Sequence, residues 1–203
     1  MEVYLASGNG HKLEEFRSLM NGMSSHLKLH SPATIGGMPE VEETGEHFLD
    51  NALLKARALA AKAPPGSWVL ADDSGLEVDA LGGAPGVRSA RYACESANTE
   101  ANNEKLLREL EGVPEGKRTA RFVCVLVLCP VSGEAFSFEG RCEGRIGDRA
   151  AGRYGFGYDP LFRPAGQRKS FAELGGEVKH QFSHRSKALR CLVAFLEKSF
   201  FNP

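Results

Sequence analysis

No run in this 203-residue chain approaches the roughly 18–20 consecutive apolar residues that a membrane-spanning helix requires. The opening Met1-Glu2-Val3-Tyr4-Leu5-Ala6 turns polar at Ser7 and has neither the basic start nor the long apolar core of a secretory leader. An excess of one charge is also missing, with 25 Lys and Arg against 26 Asp and Glu and a formal net charge of -1. That balance removes the electrostatic basis for a general nucleic-acid or anionic-membrane binder, because such proteins carry a basic face that shows in the total. A local basic site stays open. The five cysteines, Cys94, Cys124, Cys129, Cys142 and Cys191, are odd in number and contain no Cys-x-x-Cys pair with metal-ligand spacing. We read them as reduced and mostly buried, which makes the cytoplasm the expected compartment. No internal repeat, low-complexity tract or long linker appears.

What is present is an ordinary globular composition, 42% hydrophobic with 23 glycines, and enough length for one domain or two small packed lobes. Val3–Ala6 reads as a strand that runs into the turn Ser7-Gly8-Asn9-Gly10. A helix follows, with Leu13, Phe16, Leu19 and Met20 on one face and a stop at Asn21-Gly22. Leu27–Leu29 is a weak second strand and Ser31–Pro39 a loop. A second helix is expected from Thr44–Glu46 onward, with an apolar stripe of Leu49, Leu53, Ala56 and Ala60, and with Asn51 and Lys55 sharing a different face. Pro64-Pro65-Gly66 ends it. Trp68–Ala71 is a buried strand that runs into Asp72-Asp73-Ser74-Gly75, so the acids fall at the strand's end. Gly82–Gly86 is a loop and Asn102–Leu110 a third helix. Arg121–Leu128 and Ala135–Arg145 form a long hairpin around the turn Pro130–Gly133. Ala151–Gly157 is a loop, and a last helix over His184–Phe195 carries Leu189, Leu192, Val193 and Leu196. Interspersed helices and strands give an α/β class with a mixed twisted sheet.

Several segments have the residue types for chemistry. In Ser7-Gly8-Asn9-Gly10-His11-Lys12 a strand, a glycine turn and a helix start aim backbone N–H groups at one point, where the helix dipole and Lys12 add positive potential for a phosphate. The same six residues also suit a tight connection with a solvated lysine. Glu42-Glu43 and Asp72-Asp73 offer the hard oxygen ligands that Mg²⁺ prefers, and a carboxylate beside a metal can deprotonate an attacking water. They equally suit a helix N-terminus and a turn. Gly155-Phe156-Gly157-Tyr158-Asp159-Pro160 has aromatics on which a planar base could stack, or which plug the core. Lys179 and Ser183-His184-Arg185 put cations at the start of the last helix, as a site or as a solvated patch.

Taken together and in order, Ser7-Gly8-Asn9-x-x-Lys12, Glu42-Glu43-Thr44-Gly45, Ala71-Asp72-Asp73-Ser74-Gly75-Leu76, Leu81-Gly82-Gly83-Ala84-Pro85-Gly86, Gly155-Phe156-Gly157-Tyr158-Asp159-Pro160 and Ser183-His184-Arg185 resemble the inosine/xanthosine triphosphate pyrophosphatase family. The resemblance spans nearly the whole chain. It implies one non-canonical purine nucleoside triphosphate pyrophosphatase domain over residues 1–203, with an elongated mixed twisted sheet flanked by helices and two lobes around a substrate cleft. It further implies a homodimeric, Mg²⁺-dependent house-cleaning hydrolase that converts ITP, dITP and XTP to the monophosphate and pyrophosphate.

Carried onto this chain, the resemblance gives the triphosphate to Ser7, Gly8, Asn9, Gly10, His11 and Lys12, and Mg²⁺ to Glu42 and Asp73. Asp73 is also the implied general base and Ser74 touches substrate beside it. Phe156, Gly157, Tyr158 and Asp159 line the base pocket, which Lys179, His184 and Arg185 complete, while Lys55 assists the phosphates. A donor-lined pocket accepts the 6-keto group of hypoxanthine or xanthine and leaves the 6-amino group of adenine facing donors. Guanine shares the 6-keto group, so its rejection rests on the 2-amino group, for which no residue accounts. Ser7 stands where Thr is common and Ser186 where Gly is common, and neither removes a charge or ligand. Two other readings remain: a Maf-like pyrophosphatase, which the long Ala71–Tyr92 segment disfavours, and a nucleotide sensor without turnover.

Overall fold

The computed structural model describes residues 1–21, 26–96 and 98–201. Six strands form one mixed sheet in the order β2-β1-β3-β4-β5-β6. They are β1 (Glu2–Ala6), β2 (Lys28–His30), β3 (Trp68–Val78), β4 (Thr119–Pro130), β5 (Phe136–Ile146) and β6 (Phe162–Pro164). β1 is parallel to both neighbours, with Leu5 opposite Leu70 and Ala6 opposite Ala71, whereas β5 and β6 are antiparallel. Parallel neighbours need long crossovers. Two are supplied by α1 (Gly10–Asn21), between β1 and β2, and α2 (Phe48–Ala60), between β2 and β3. The remaining helices are α3 (Thr99–Glu109), α4 (Phe171–Leu174), α5 (Gly176–Phe182) and α6 (His184–Leu196). Among the described residues, no helix is long and apolar enough to cross a membrane.

The chain resolves into two compact units. The first comprises Met1–Asp73, Cys124–Gly140 and Ser186–Pro203. Its parts of β3 and β4 are buried on both faces, and the two-residue period of a strand sorts the side chains of β1, β3 and β4 into two cores. Val3, Leu5, Leu70, Leu126 and Leu128 join Phe16 and Leu19 of α1 and Leu189 and Leu192 of α6. Ala6, Val69, Ala71 and Val127 instead join Ala52, Ala56 and Leu59 of α2. The second unit comprises Ser74–Val123 and Arg141–Arg185. Its core gathers Leu76, Val78, Leu106, Phe122, Ile146, Tyr158, Phe162 and Phe171. The boundary between the units falls inside β3, between Asp73 and Ser74.

The first strand, the glycine turn, α1, the hairpin and α6 lie where the sequence puts them, and the α1 stop at Gly22 lies outside the described residues. Other expectations need correction. β3 does not stop at Ala71 but continues to Val78, so Asp72 and Asp73 sit in mid-strand rather than in a turn. Aspartate is a poor strand former, and here each carboxylate is neutralised by a lysine. α2 starts at Phe48 after the cap His47, because residues 44–46 are held as a loop. Its buried face is Phe48, Asn51, Ala52, Lys55, Ala56, Leu59 and Ala60, while Leu49 is 38% exposed. Asn51 and Lys55 therefore share the apolar face instead of lying off it. The loop expected over Ser31–Pro39 contains a 3₁₀ turn at Pro32–Ile35, capped by Ser31. β6, α4 and α5 were too short to leave a periodic pattern. No two cysteines are joined in a disulfide; Cys124, Cys129 and Cys142 are buried, and Cys94 and Cys191 are exposed.

The phase of α2 is checked by two truncations. Leu59→Ala, at a fully buried position, is expected to cost about 2–5 kcal/mol in urea unfolding. Leu49→Ala is expected to stay within about 0.5 kcal/mol of wild type.

Candidate active site

β1 ends at Ala6, and α1 begins at Gly10 after only three residues. Within that turn Ser7 Oγ accepts from the Asn9 backbone N–H at 3.1 Å, and Asn9 Oδ1 accepts from the Lys12 N–H at 3.4 Å. A Cβ added at Gly8 or Gly10 would meet nothing within 4 Å. The backbone there faces open space at the positive end of a twelve-residue helix, an arrangement suited to an anion. His11 lies in the first turn of α1, and its side chain lies outside the described atoms. Lys12 is not the solvated lysine that one reading of the turn allowed: its Nζ lies 2.6 Å from Asp72 Oδ2.

The two acids of β3 go to opposite faces of the sheet, as successive strand residues must. Asp72 follows Leu70 to the α1 side, where it meets Lys12 and accepts from the Cys124 thiol at 3.2 Å. Asp73 follows Val69 and Ala71 to the α2 side, where its Oδ1 accepts from Lys55 Nζ at 2.5 Å. Its other oxygen, Oδ2, is buried and has no hydrogen-bond partner among the described residues. Burial pushes the Asp73 carboxyl above its ordinary value of 3.8 against the pull of Lys55. Burial in turn opposes the charge on Lys55, but Asp73 and Glu43 outweigh it and hold that ammonium above its usual range. Asp73 is thus a desolvated carboxylate with one uncommitted oxygen, whereas Asp72 is locked into an ion pair.

The glutamates that precede α2 part company. Glu43 reaches Lys55 Nζ at 3.4 Å, whereas Glu42 is exposed and its carboxylate has no ion pair or hydrogen bond among the described residues. The structure therefore brings Glu43, not Glu42, to the Lys55–Asp73 pair. The loop is fixed by Asn51, whose Oδ1 accepts from Gly45 N–H at 2.8 Å and whose Nδ2 donates to Gly45 O at 3.3 Å. A Cβ on Gly45 would lie 2.5 Å from Asp50 Cβ and 2.7 Å from Asn51 Oδ1, so only glycine fits.

In the second unit, Asp159 organises the loop that carries Phe156. Asp159 Oδ2 accepts from Phe156 N–H at 2.9 Å and from Lys179 Nζ at 2.7 Å. Gly155 has φ +78°, and a Cβ there would lie 2.1 Å from the same carboxylate oxygen. Lys179 Nζ stands 4.7 Å from the Phe156 ring centroid and Arg185 Cζ 5.3 Å from it, so two cations flank one aromatic ring. Arg185 also donates to Ser74 Oγ at 2.7 Å, and His184 stacks on Phe122 at 4.8 Å and 13°. Gly157 O accepts from Asn103 at 3.1 Å. Tyr158 is in the core, its hydroxyl donating to Ser89 O at 2.8 Å. The structure thus joins Phe156, Asp159, Lys179, Arg185 and Ser74 in one cluster, with Asp159 and Tyr158 as internal struts.

Sequence reading missed Asp72 as the partner of Lys12, Asn51 as the loop clamp and Asn103 on α3. The alternation of β3 carried the signal for Asp72, once the strand is extended past Ala71. For Asn103 no local pattern exists.

A glycine turn opening a helix and a half-committed buried carboxylate thus lie in the first unit, and a cation-flanked aromatic loop lies in the second. The model of the Ham1 family matches residues 3–195, and the chain belongs to that family. It is 50% identical to a dITP/XTP pyrophosphatase of Opitutus terrae, over 98% of this chain and all of that one. It is 44% identical to a dITP/XTP pyrophosphatase of Bacillus subtilis, over 97% of each. Among solved structures, the Staphylococcus aureus Ham1 protein superposes with a TM-score of 0.86 at 41% identity, covering 98% of this chain and 99% of that one. A HAM1 protein from Coxiella burnetii gives 0.87 at 37% identity, covering 98% and 100%.

The raised Asp73 pKa is measurable on the carboxyl carbon by NMR titration of chelator-treated protein. The midpoint is expected above 3.8. Lys55→Met is expected to move it higher still, since Lys55 favours the carboxylate. A midpoint at or below the ordinary value, or a downward move in the variant, contradicts this electrostatic picture.

Proposed function

We propose that this chain hydrolyses dITP, ITP and XTP to the nucleoside monophosphate and pyrophosphate, clearing deaminated purines from the nucleotide pool. Its similarity to dITP/XTP pyrophosphatases and its membership of the Ham1 family support this reading. The observation that carries it is Asp73, a buried carboxylate with one oxygen held by Lys55 and the other without a partner among the described residues.

In this reading the triphosphate lies on the turn formed by Ser7, Gly8, Asn9, Gly10 and His11, with Lys12 balancing its charge. Backbone N–H groups at the start of α1 and the Lys12 ammonium favour the anion. Asp73 accepts a proton from a water whose oxygen attacks the α-phosphorus. The bond from that phosphorus to the bridging oxygen breaks, and pyrophosphate leaves. A carboxyl pKa raised by burial makes Asp73 a stronger base than an ordinary aspartate. Lys55 keeps the carboxylate oriented through Oδ1, which leaves Oδ2 for the water. Ser74, joined to Asp73 by a peptide bond, begins the set that reads the base: Phe156 stacks on the purine, and Arg185, His184 and Lys179 present donors to the 6-keto edge. Asp159 and Tyr158 hold that loop in place.

A divalent cation fits these residues. The uncommitted Asp73 oxygen and the exposed Glu42 carboxylate are hard ligands for Mg²⁺, with Glu43 nearby through Lys55. No group of three or more His, Cys, Asp or Glu converges among the described residues, which suits an ion bound by one or two carboxylates and completed by phosphate oxygens and water. When bound, Mg²⁺ would neutralise negative charge on the triphosphate. A cytoplasmic homodimer is proposed on the family resemblance alone.

The test is incubation of purified protein with ITP, dITP, XTP, GTP, ATP and UTP, with Mg²⁺ and then with chelator, quantifying pyrophosphate and orthophosphate separately. Pyrophosphate from ITP, dITP and XTP, abolished by chelation, is the expected result. Asp73→Asn is expected to lower turnover by about 10²–10⁴-fold, the range of a lost general base, without loss of fold. Orthophosphate as the product, or wild-type turnover by Asp73→Asn, contradicts the assignment; nucleotide binding without any release identifies a sensor.

A further inference from the structure

We infer that Asp72 is a positioning residue that fixes Lys12 in the phosphate site, an inference that rests on the reading of Ser7–Lys12 as the triphosphate cradle. Adjacent acids in a strand cannot serve one point, since their side chains leave on opposite faces. Asp73 goes to Lys55, and Asp72 goes to Lys12 at 2.6 Å. The exposure of the two partners is unequal. The Asp72 side chain is 0% exposed, whereas that of Lys12 is 18% exposed. Asp72 is therefore out of reach of a ligand, and Lys12 is within reach of one.

The remaining surroundings of Asp72 favour a fixed carboxylate. Its Oδ1 accepts from the Cys124 thiol at 3.2 Å, and Leu70 and Leu126 belong to the core on that face. An ionised carboxylate with no contact to water keeps its charge only beside a cation. Lys12 is that cation, and it comes from the first turn of α1, where a Cβ added at Gly10 would meet nothing within 4 Å. An ammonium has three donors. One is spent on Asp72, and that bond holds the flexible lysine stem in place before any phosphate arrives. Binding then does not have to order the side chain. Asp72 touches neither the substrate nor the reacting atoms and acts through Lys12.

A double-mutant cycle on the full chain reads this directly, with inorganic tripolyphosphate as the titrant and calorimetry as the readout. Lys12→Met is expected to weaken binding about tenfold or more, and Asp72→Asn about fivefold or more; Asp72→Asn in the Lys12→Met background is expected to add nothing, as for a directly coupled pair. No loss on Lys12→Met alone overturns the cradle reading itself. A normal loss on Lys12→Met with unchanged or tighter binding by Asp72→Asn overturns the positioning role, tighter binding meaning that Asp72 only dampens the positive charge. If Asp72→Asn does not fold, the ammonium resonance of Lys12 in ligand-free wild type decides: a distinct, slowly exchanging signal supports the inference, and a solvent-averaged one overturns it.

Discussion

The structure turns on the alternation of side chains along β3. Two consecutive aspartates in a buried strand would be ruinous without compensation, because each takes a negative charge into an apolar layer. The fold answers with one lysine per face: Lys12 from the first turn of α1 for Asp72, and Lys55 from the buried face of α2 for Asp73. The helices that cover the two faces are thereby tied to the strand by charge as well as by apolar packing. From this constraint comes the division of labour between the acids. Asp72 is fully paired, while Asp73 keeps one buried oxygen uncommitted.

The second unit repeats the principle with different parts. Asp159 is buried and paired with Lys179, and its carboxylate also takes the Phe156 N–H, so one acid fixes both a cation and the aromatic ring beside it. Gly155 is obligatory for the closeness of that loop to Asp159, as Gly45 is for the loop that Asn51 clamps. In both places a buried polar side chain holds a backbone turn.

Much of this was legible in the chain and some of it was not, for physical reasons. The strand, glycine turn and helix at the start, the long hairpin and the last helix carry full hydrophobic periods, so length and pattern agree. The end of the third strand was misplaced because Asp72-Asp73-Ser74-Gly75 has turn composition, and only the lysines arriving from α1 and α2 make it tolerable as strand. The buried face of α2 was read with the wrong phase because Asn51 and Lys55 are polar, although both lie among its alanines. Their burial depends on partners, Gly45 and Asp73, that are distant along the chain. The site residues were reached through the resemblance, and the contact of Glu43 with Lys55 is a detail that such a transfer does not carry.

The central claim is that Asp73 directs a water at the α-phosphorus. It is tested most directly by turnover of ITP in ¹⁸O-labelled water, followed by mass spectrometry of both products. The account predicts the label in inosine monophosphate and none in pyrophosphate. Label in pyrophosphate would place the attack on the β-phosphorus and contradict it.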